Sequence, residues 1–144
     1  MAFFHSHIHF NGNAELAFSF YQSVLGGQIT RLLRYKDLST TAFPLPDKDG
    51  NKIMYIALSV NANTQLIGSD VLESMGKIRE AENRITISIQ AESREEADKI
   101  FAGLSAEGEV AMPLEEGPFG SYFGMFTDRF GVQWMIDHTT RTKD

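Results

Sequence analysis

Alternation is the clearest pattern along the chain. In Phe3–Phe10, the residues Phe4, Ile8 and Phe10 fall on one face of an extended strand, and His5, His7 and His9 on the other. Ile53–Val60 alternates in the same way, with Met54, Ile56, Leu58 and Val60 opposite Tyr55, Ala57 and Ser59. Arg84–Gln90 sets Ile85, Ile87 and Ile89 against Arg84, Thr86, Ser88 and Gln90. The period changes in two places. Ala14–Leu25 carries a helical stripe of Ala17, Phe20, Tyr21 and Val24, with Asn13 as its cap and Gly26-Gly27 as its stop. Ser93 and Glu96 have the spacing of a capping box ahead of a stripe of Ala97, Ile100, Phe101 and Leu104, which Gly108 closes.

Further strands are predicted over Gln28–Tyr35, Thr64–Ser69 and Glu109–Leu114. Tyr122–Thr127 and Val132–Ile136 flank Asp128-Arg-Phe-Gly131, which reads as a β-hairpin. Trp134, in phase with Ile136, is expected to face a helix, while Gln133, Met135 and Asp137 point the other way. Lys36–Lys52, with its prolines and aspartates, reads as a loop and a possible lid. Asp70–Ala81 reads as a polar link.

The plan repeats. Asn13, Ala17, Tyr21 and Val24 align at a constant offset with Ser93, Ala97, Phe101 and Leu104, and each helix follows one strand and precedes three. The reading is a single domain over residues 1–144 of two βαβββ modules, about 1–70 and 83–140, joined by a link at about 71–82. The fold class is α+β. Each sheet has one apolar face for its helix, and the paired modules are expected to form a curved half-barrel sheet with helices on the convex side. The polar faces would line the concavity, a common setting for a ligand site.

Composition narrows the function. The chain of 144 residues has no Cys, so disulfides and a cysteine nucleophile are excluded. No Ser sits in a Gly-x-Ser-x-Gly elbow. No apolar run approaches the roughly 18 residues of a membrane span, and the N-terminus does not read as a signal peptide, so a cytoplasmic location is expected. The net charge of −6 argues against nucleic acid as a partner.

Three stretches carry a resemblance: Glu15-Leu-Ala-Phe-Ser-Phe-Tyr-Gln-Ser-Val-Leu-Gly-Gly27, Lys52-Ile-Met-Tyr-Ile-Ala-Leu58, and Phe119-Gly120 leading to Asp128-Arg-Phe-Gly-Val-Gln-Trp-Met-Ile136. With the βαβββ–βαβββ order they resemble the vicinal oxygen chelate superfamily of glyoxalases, extradiol dioxygenases and bleomycin-resistance proteins, and within it the PhnB-like subgroup. That subgroup usually has His where this chain has Tyr55. Related domains are often labelled ubiquinone-pathway methyltransferases, but no Gly-rich cofactor loop is visible here.

The resemblance implies four metal-ligand positions, on the first, fourth, fifth and eighth strands. They fall on His5, on Leu66–Ser69 with no carboxylate before Asp70, on Arg84, which stays protonated, and on Met135. Such a set does not hold a divalent ion, so no metal and no cofactor is expected. An improvised site of His5 and Asp137, joined by His7 or His9, is the alternative. The expected ligand-binding residues are His5, His7, His9, Tyr55, Arg84, Phe119, Tyr122, Met135 and Asp137, with no catalytic residue assigned.

The expected function is a metal-free small-molecule binding protein that forms a homodimer. The alternatives are a metal-dependent lyase, isomerase or dioxygenase, and a degenerate dimerisation domain. Arg84 and titratable histidines predict an aromatic or planar anion as ligand. The chain's acidity, if it draws in cations, predicts the reverse.

Overall fold

The first strand stops where Asn11 and Gly12 break the extended run, Gly12 taking a positive φ of 107°. The chain then enters its first helix. The computed structural model describes residues 4–37, 49–72, 85–117 and 120–139. The elements are β1 (Ser6–Phe10), α1 (Ala14–Leu25), β2 (Gln28–Arg34), β3 (Ile53–Asn61), β4 (Thr64–Asp70), β5 (Ile87–Gln90), α2 (Arg94–Ser105), β6 (Glu109–Glu116), β7 (Ser121–Thr127) and β8 (Gln133–Thr139), with a 3₁₀ turn at Tyr35–Asp37 after β2. Each half is therefore βαβββ. The chain divides into two compact units, residues 1–78 and 79–144.

The first sheet has strand order β1-β4-β3-β2 and the second β5-β8-β7-β6. The edge strands β1 and β5 run parallel to their neighbours, and the other pairs are antiparallel.

In the first unit α1 lies over β3 and β4. Its buried residues are Ala14, Ala17, Phe18 and Tyr21, while Phe20 and Val24 are half-buried. The core-facing stripe is thus centred one residue away from the expected one, and Phe18 is its main anchor. Its ring packs edge-on to Phe10 and Tyr21, with centroids 6.2 and 5.6 Å apart. Gly68 makes room for it, since a Cβ there would lie 2.4 Å from the Phe18 ring. In the second unit Ala97, Leu104, Phe126, Trp134 and Ile136 are buried. The Phe101 ring stands 4.9 Å from that of Phe126. A Cβ at Gly124 would lie 2.7 Å from Phe101, the same accommodation of a helix ring by a strand glycine.

Trp134 is buried as expected, and its indole Nε1 donates to the carboxylate of Asp128 at 2.8 Å. The turn at Asp128–Gly131 is closed by the Gly131 amide on the Asp128 carbonyl.

Five local expectations need correction. Asn13 makes no side-chain cap. The amides of Gly12 and Ala14 instead donate to Oδ1 of Asp70, and that of Ile53 to Oδ2. Asp70 is the last residue of β4, not the start of a link, and it is 2% exposed. Ile85 is 81% exposed and lies ahead of β5, because pairing with β8 begins only at Ile87. Phe4 likewise precedes β1 and is exposed. The capping box is shifted by a residue on one side: Ser93 accepts from the Glu96 amide, but the Glu96 side chain accepts from the amide of Glu92. The link and most of the proposed lid, residues 73–84 and 38–48, lie outside the described residues.

Replacing Asp70 by Ala removes the acceptor of three amides. At roughly 1–3 kcal/mol for each buried donor left unpaired, the expected loss is about 3 kcal/mol or more. Asn13→Ala should cost less than about 0.5 kcal/mol, as surface changes do. Urea unfolding of both variants checks this; equal losses would show that Asn13 caps the helix after all.

Candidate functional site

The face of the first sheet turned away from α1 groups two histidines, a tyrosine and an arginine. Parallel pairing places His7 beside Ile67 and His9 beside Ser69. Antiparallel pairing continues the same face through Ala57 and Tyr55 on β3 to Arg31 and Leu33 on β2. Ala57 and Ile67 are buried at its centre. Around them the polar groups converge. Ser69 Oγ lies 3.1 Å from His7 Nε2 and 3.2 Å from His9 Nδ1. The two imidazoles stack with centroids 4.8 Å apart. His7 stands edge-on to Tyr55 at 6.4 Å, and the Arg31 guanidinium lies over the Tyr55 ring at 5.9 Å.

A hydroxyl has one hydrogen to donate, so Ser69 can donate to only one of the two imidazoles, and its bond to the other needs an N–H from that ring. A second proton on the pair would leave two stacked cations. Partial burial, and then the nearness of His9, lower the pKa of His7 below its ordinary 6.5. The paired strand positions of this face hold no carboxylate. In a chain of net charge −6, it is a face whose only charged or chargeable groups are basic or weakly acidic.

The corresponding face of the second sheet differs. Met135 lies between Ser88 and Met125, and Asp137 between Gln90 and Phe123. All of these are half-buried or exposed. Glu109 and Glu115 reach this face from β6, so its charge is acidic.

Of the residues expected to bind a ligand, His7, His9 and Tyr55 come together. His5 is exposed ahead of β1. Met135 and Asp137 share the helix-free face of the second sheet. Tyr122 lies on the other face, paired with His138 and in phase with Gly124 and Phe126; its hydroxyl donates to Asp98 of α2, and Arg94 lies 4.1 Å over its ring. The hydrogen bond to Asp98 raises the Tyr122 pKa. Arg84 and Phe119 lie outside the described residues. Ser69 and Arg31 were not anticipated. The strict alternation of β1 gives no hint of Ser69, because parallel register is not written in either strand alone.

A family model described as the glyoxalase/bleomycin resistance protein/dioxygenase superfamily matches residues 6–136. The chain belongs to that superfamily. It is similar to the crystal structure of the protein PA1353 from Pseudomonas aeruginosa, at 34% identity and TM-score 0.82, over 96% of this chain and 98% of that one. It is 25% identical to protein YjdN of Escherichia coli K12 over 134 residues, 91% of each chain. A protein of Bacillus cereus titled a putative 3-demethylubiquinone-9 3-methyltransferase, PhnB protein, shares the fold, with TM-score 0.73 at 23% identity over 96% of this chain and all of that one.

Metal enzymes of the superfamily need a full donor set, and the described residues at the positions the resemblance implies do not supply one. Among the described residues no three His, Cys, Asp or Glu are grouped so as to hold an ion. The fourth-strand stretch Leu66–Ser69 brings only a hydroxyl, already engaged by two histidines, and Asp70 spends its oxygens on backbone amides.

The lowered pKa of His7 has a testable sign. The unfolded chain takes up this proton more readily than the folded one, so the contribution to stability is whole above pH 6.5 and is lost as the pH falls through the folded value. Histidine NMR should place the His7 midpoint below 6.5; a midpoint at or above it would contradict the packing of His7 against His9.

Proposed function

We propose that this protein binds a small organic molecule on the helix-free face of its first sheet, without a divalent metal. The observation that supports this most is the cluster of His7, His9, Ser69, Tyr55 and Arg31 around an apolar floor, a few convergent polar groups beside aromatic surface. Superfamily membership supports small-molecule binding and leaves the chemistry to the site. The metal-dependent reading has less support, because the donors it requires are replaced or engaged elsewhere. No helix among the described residues is long and apolar enough to cross a membrane. A cytoplasmic location is part of the proposal.

A fragment screen by ¹H–¹⁵N NMR tests the site. The expected outcome is a set of hits, in metal-free buffer, that shift His7, His9, Tyr55 and Ser69. Hits that appear only with added zinc, manganese or iron, or that map only to the helices, would overturn the reading.

The chain is further proposed to be a homodimer, since closed two-fold pairing is the commonest arrangement of soluble oligomers. Sedimentation should give about twice the 16.1 kDa chain mass. A species at the chain mass at every concentration would count against it.

A further inference from the structure

Resting on the small-molecule reading, the geometry points to a specific ligand class: a carboxylate whose far end carries a group that both donates and accepts a hydrogen bond, such as a carboxamide or hydroxyl. We infer that the carboxylate sits on Arg31, the ligand body lies across Tyr55, and the far group meets the His7–Ser69–His9 bridge.

Arg31 is distinguished by what it lacks. Among the described residues Arg34 pairs with Glu15, Arg94 with Glu116 and Arg129 with Glu107. Arg31 has no carboxylate partner there, and its guanidinium lies over Tyr55 instead. It is exposed, and the face around it offers no acid. A planar fork of N–H donors left in that state matches a carboxylate bidentately.

The other pole follows from counting hydrogens. Ser69 is 8% exposed and its Oγ engages His7 Nε2 and His9 Nδ1. The arrangement that uses the hydroxyl hydrogen has one imidazole accepting from Ser69 and the other donating to it. In neutral imidazole the two nitrogens have opposite roles. The nitrogens turned away from Ser69, His7 Nδ1 and His9 Nε2, are then one donor and one acceptor. Reversing the Ser69 hydroxyl exchanges the roles and keeps the sum. The pair therefore presents one of each, which a carboxamide or hydroxyl satisfies and a methyl group does not. Tyr55 stands between the poles, 5.9 Å from Arg31 and 6.4 Å from His7. Its ring is half-buried and gives an aromatic body a surface to lie against.

Titrations with para-carbamoylbenzoate, para-methylbenzoate and benzamidine, followed by the NMR signals of His7, His9 and Tyr55, test this. The carbamoyl compound should bind about tenfold or more tightly than the methyl compound, the margin of one good hydrogen-bonded pole. Arg31→Ala should weaken both acids by a similar factor, and Ser69→Ala or His9→Phe should erase the difference between them. Arg94→Ala, which removes a positive charge from α2, should change neither. Equal affinity of the two acids for the native protein, or tighter binding of benzamidine, overturns the inference. So does the absence of any binding by the acids up to about 1 mM, the weak end of specific affinity. In each of these cases the fragment screen decides separately: other hits on the same face leave the small-molecule reading standing, and none removes it as well.

Discussion

The first unit depends on one buried carboxylate. Asp70 ends β4, and its two oxygens take the amides of Gly12, Ala14 and Ile53. Those amides belong to the turn after β1, the first residue of α1 and the first residue of β3. One side chain thus joins four elements at a single point. A carboxylate at this depth is tolerable only because it is hydrogen-bonded, and the helix start gains the acceptor that its own flanking residue does not supply. The backbone carbonyl of Asp70 is engaged as well, by the hydroxyl of Tyr35 at 2.9 Å.

The candidate site inherits its geometry from that arrangement. Asp70 lies beside Phe10 in the parallel pairing of β1 and β4. Strand alternation then places Ser69 on the opposite face, beside His9 and within reach of His7. A slip of one residue would exchange the two faces and send the histidines toward α1. The residue that carries the register is therefore structural, and the residues that would meet a ligand are its neighbours in sequence and in space. Asp128 is the counterpart in the second unit, but it acts locally. One oxygen takes the amides of Phe130 and Val132, and the other takes the indole of Trp134.

That contrast explains what could be read from the sequence. Local periodicity was sufficient for the bounds of α1 and the start of α2, for the βαβββ order, and for the Asp128 turn, because each depends on residues a few positions apart. The histidine face of β1 and the burial of Trp134 follow from period-two alternation in the same way. The cap of α1 is not legible at Asn13, because the acceptor at the helix start comes from β4, far along the chain. Ser69 was missed for the same reason. Arg31 was missed because β2 carries two register shifts, between Ile29 and Arg31 and between Leu33 and Arg34, so its alternation does not reveal a face. Tyr122 reads as a ligand residue by type, yet the register of β7 places it on the side of Asp98 and Arg94.

Native-state hydrogen exchange of the Gly12 amide tests the central claim most directly. Gly12 is an exposed turn residue, and without the Asp70 carboxylate its amide would exchange as a surface loop does. The account predicts that Gly12, Ala14 and Ile53 are all protected and open together with the amides of β4. Rapid exchange at Gly12 and Ala14, while β4 remains protected, would show that Asp70 does not hold the turn and that the register of the site rests on something else.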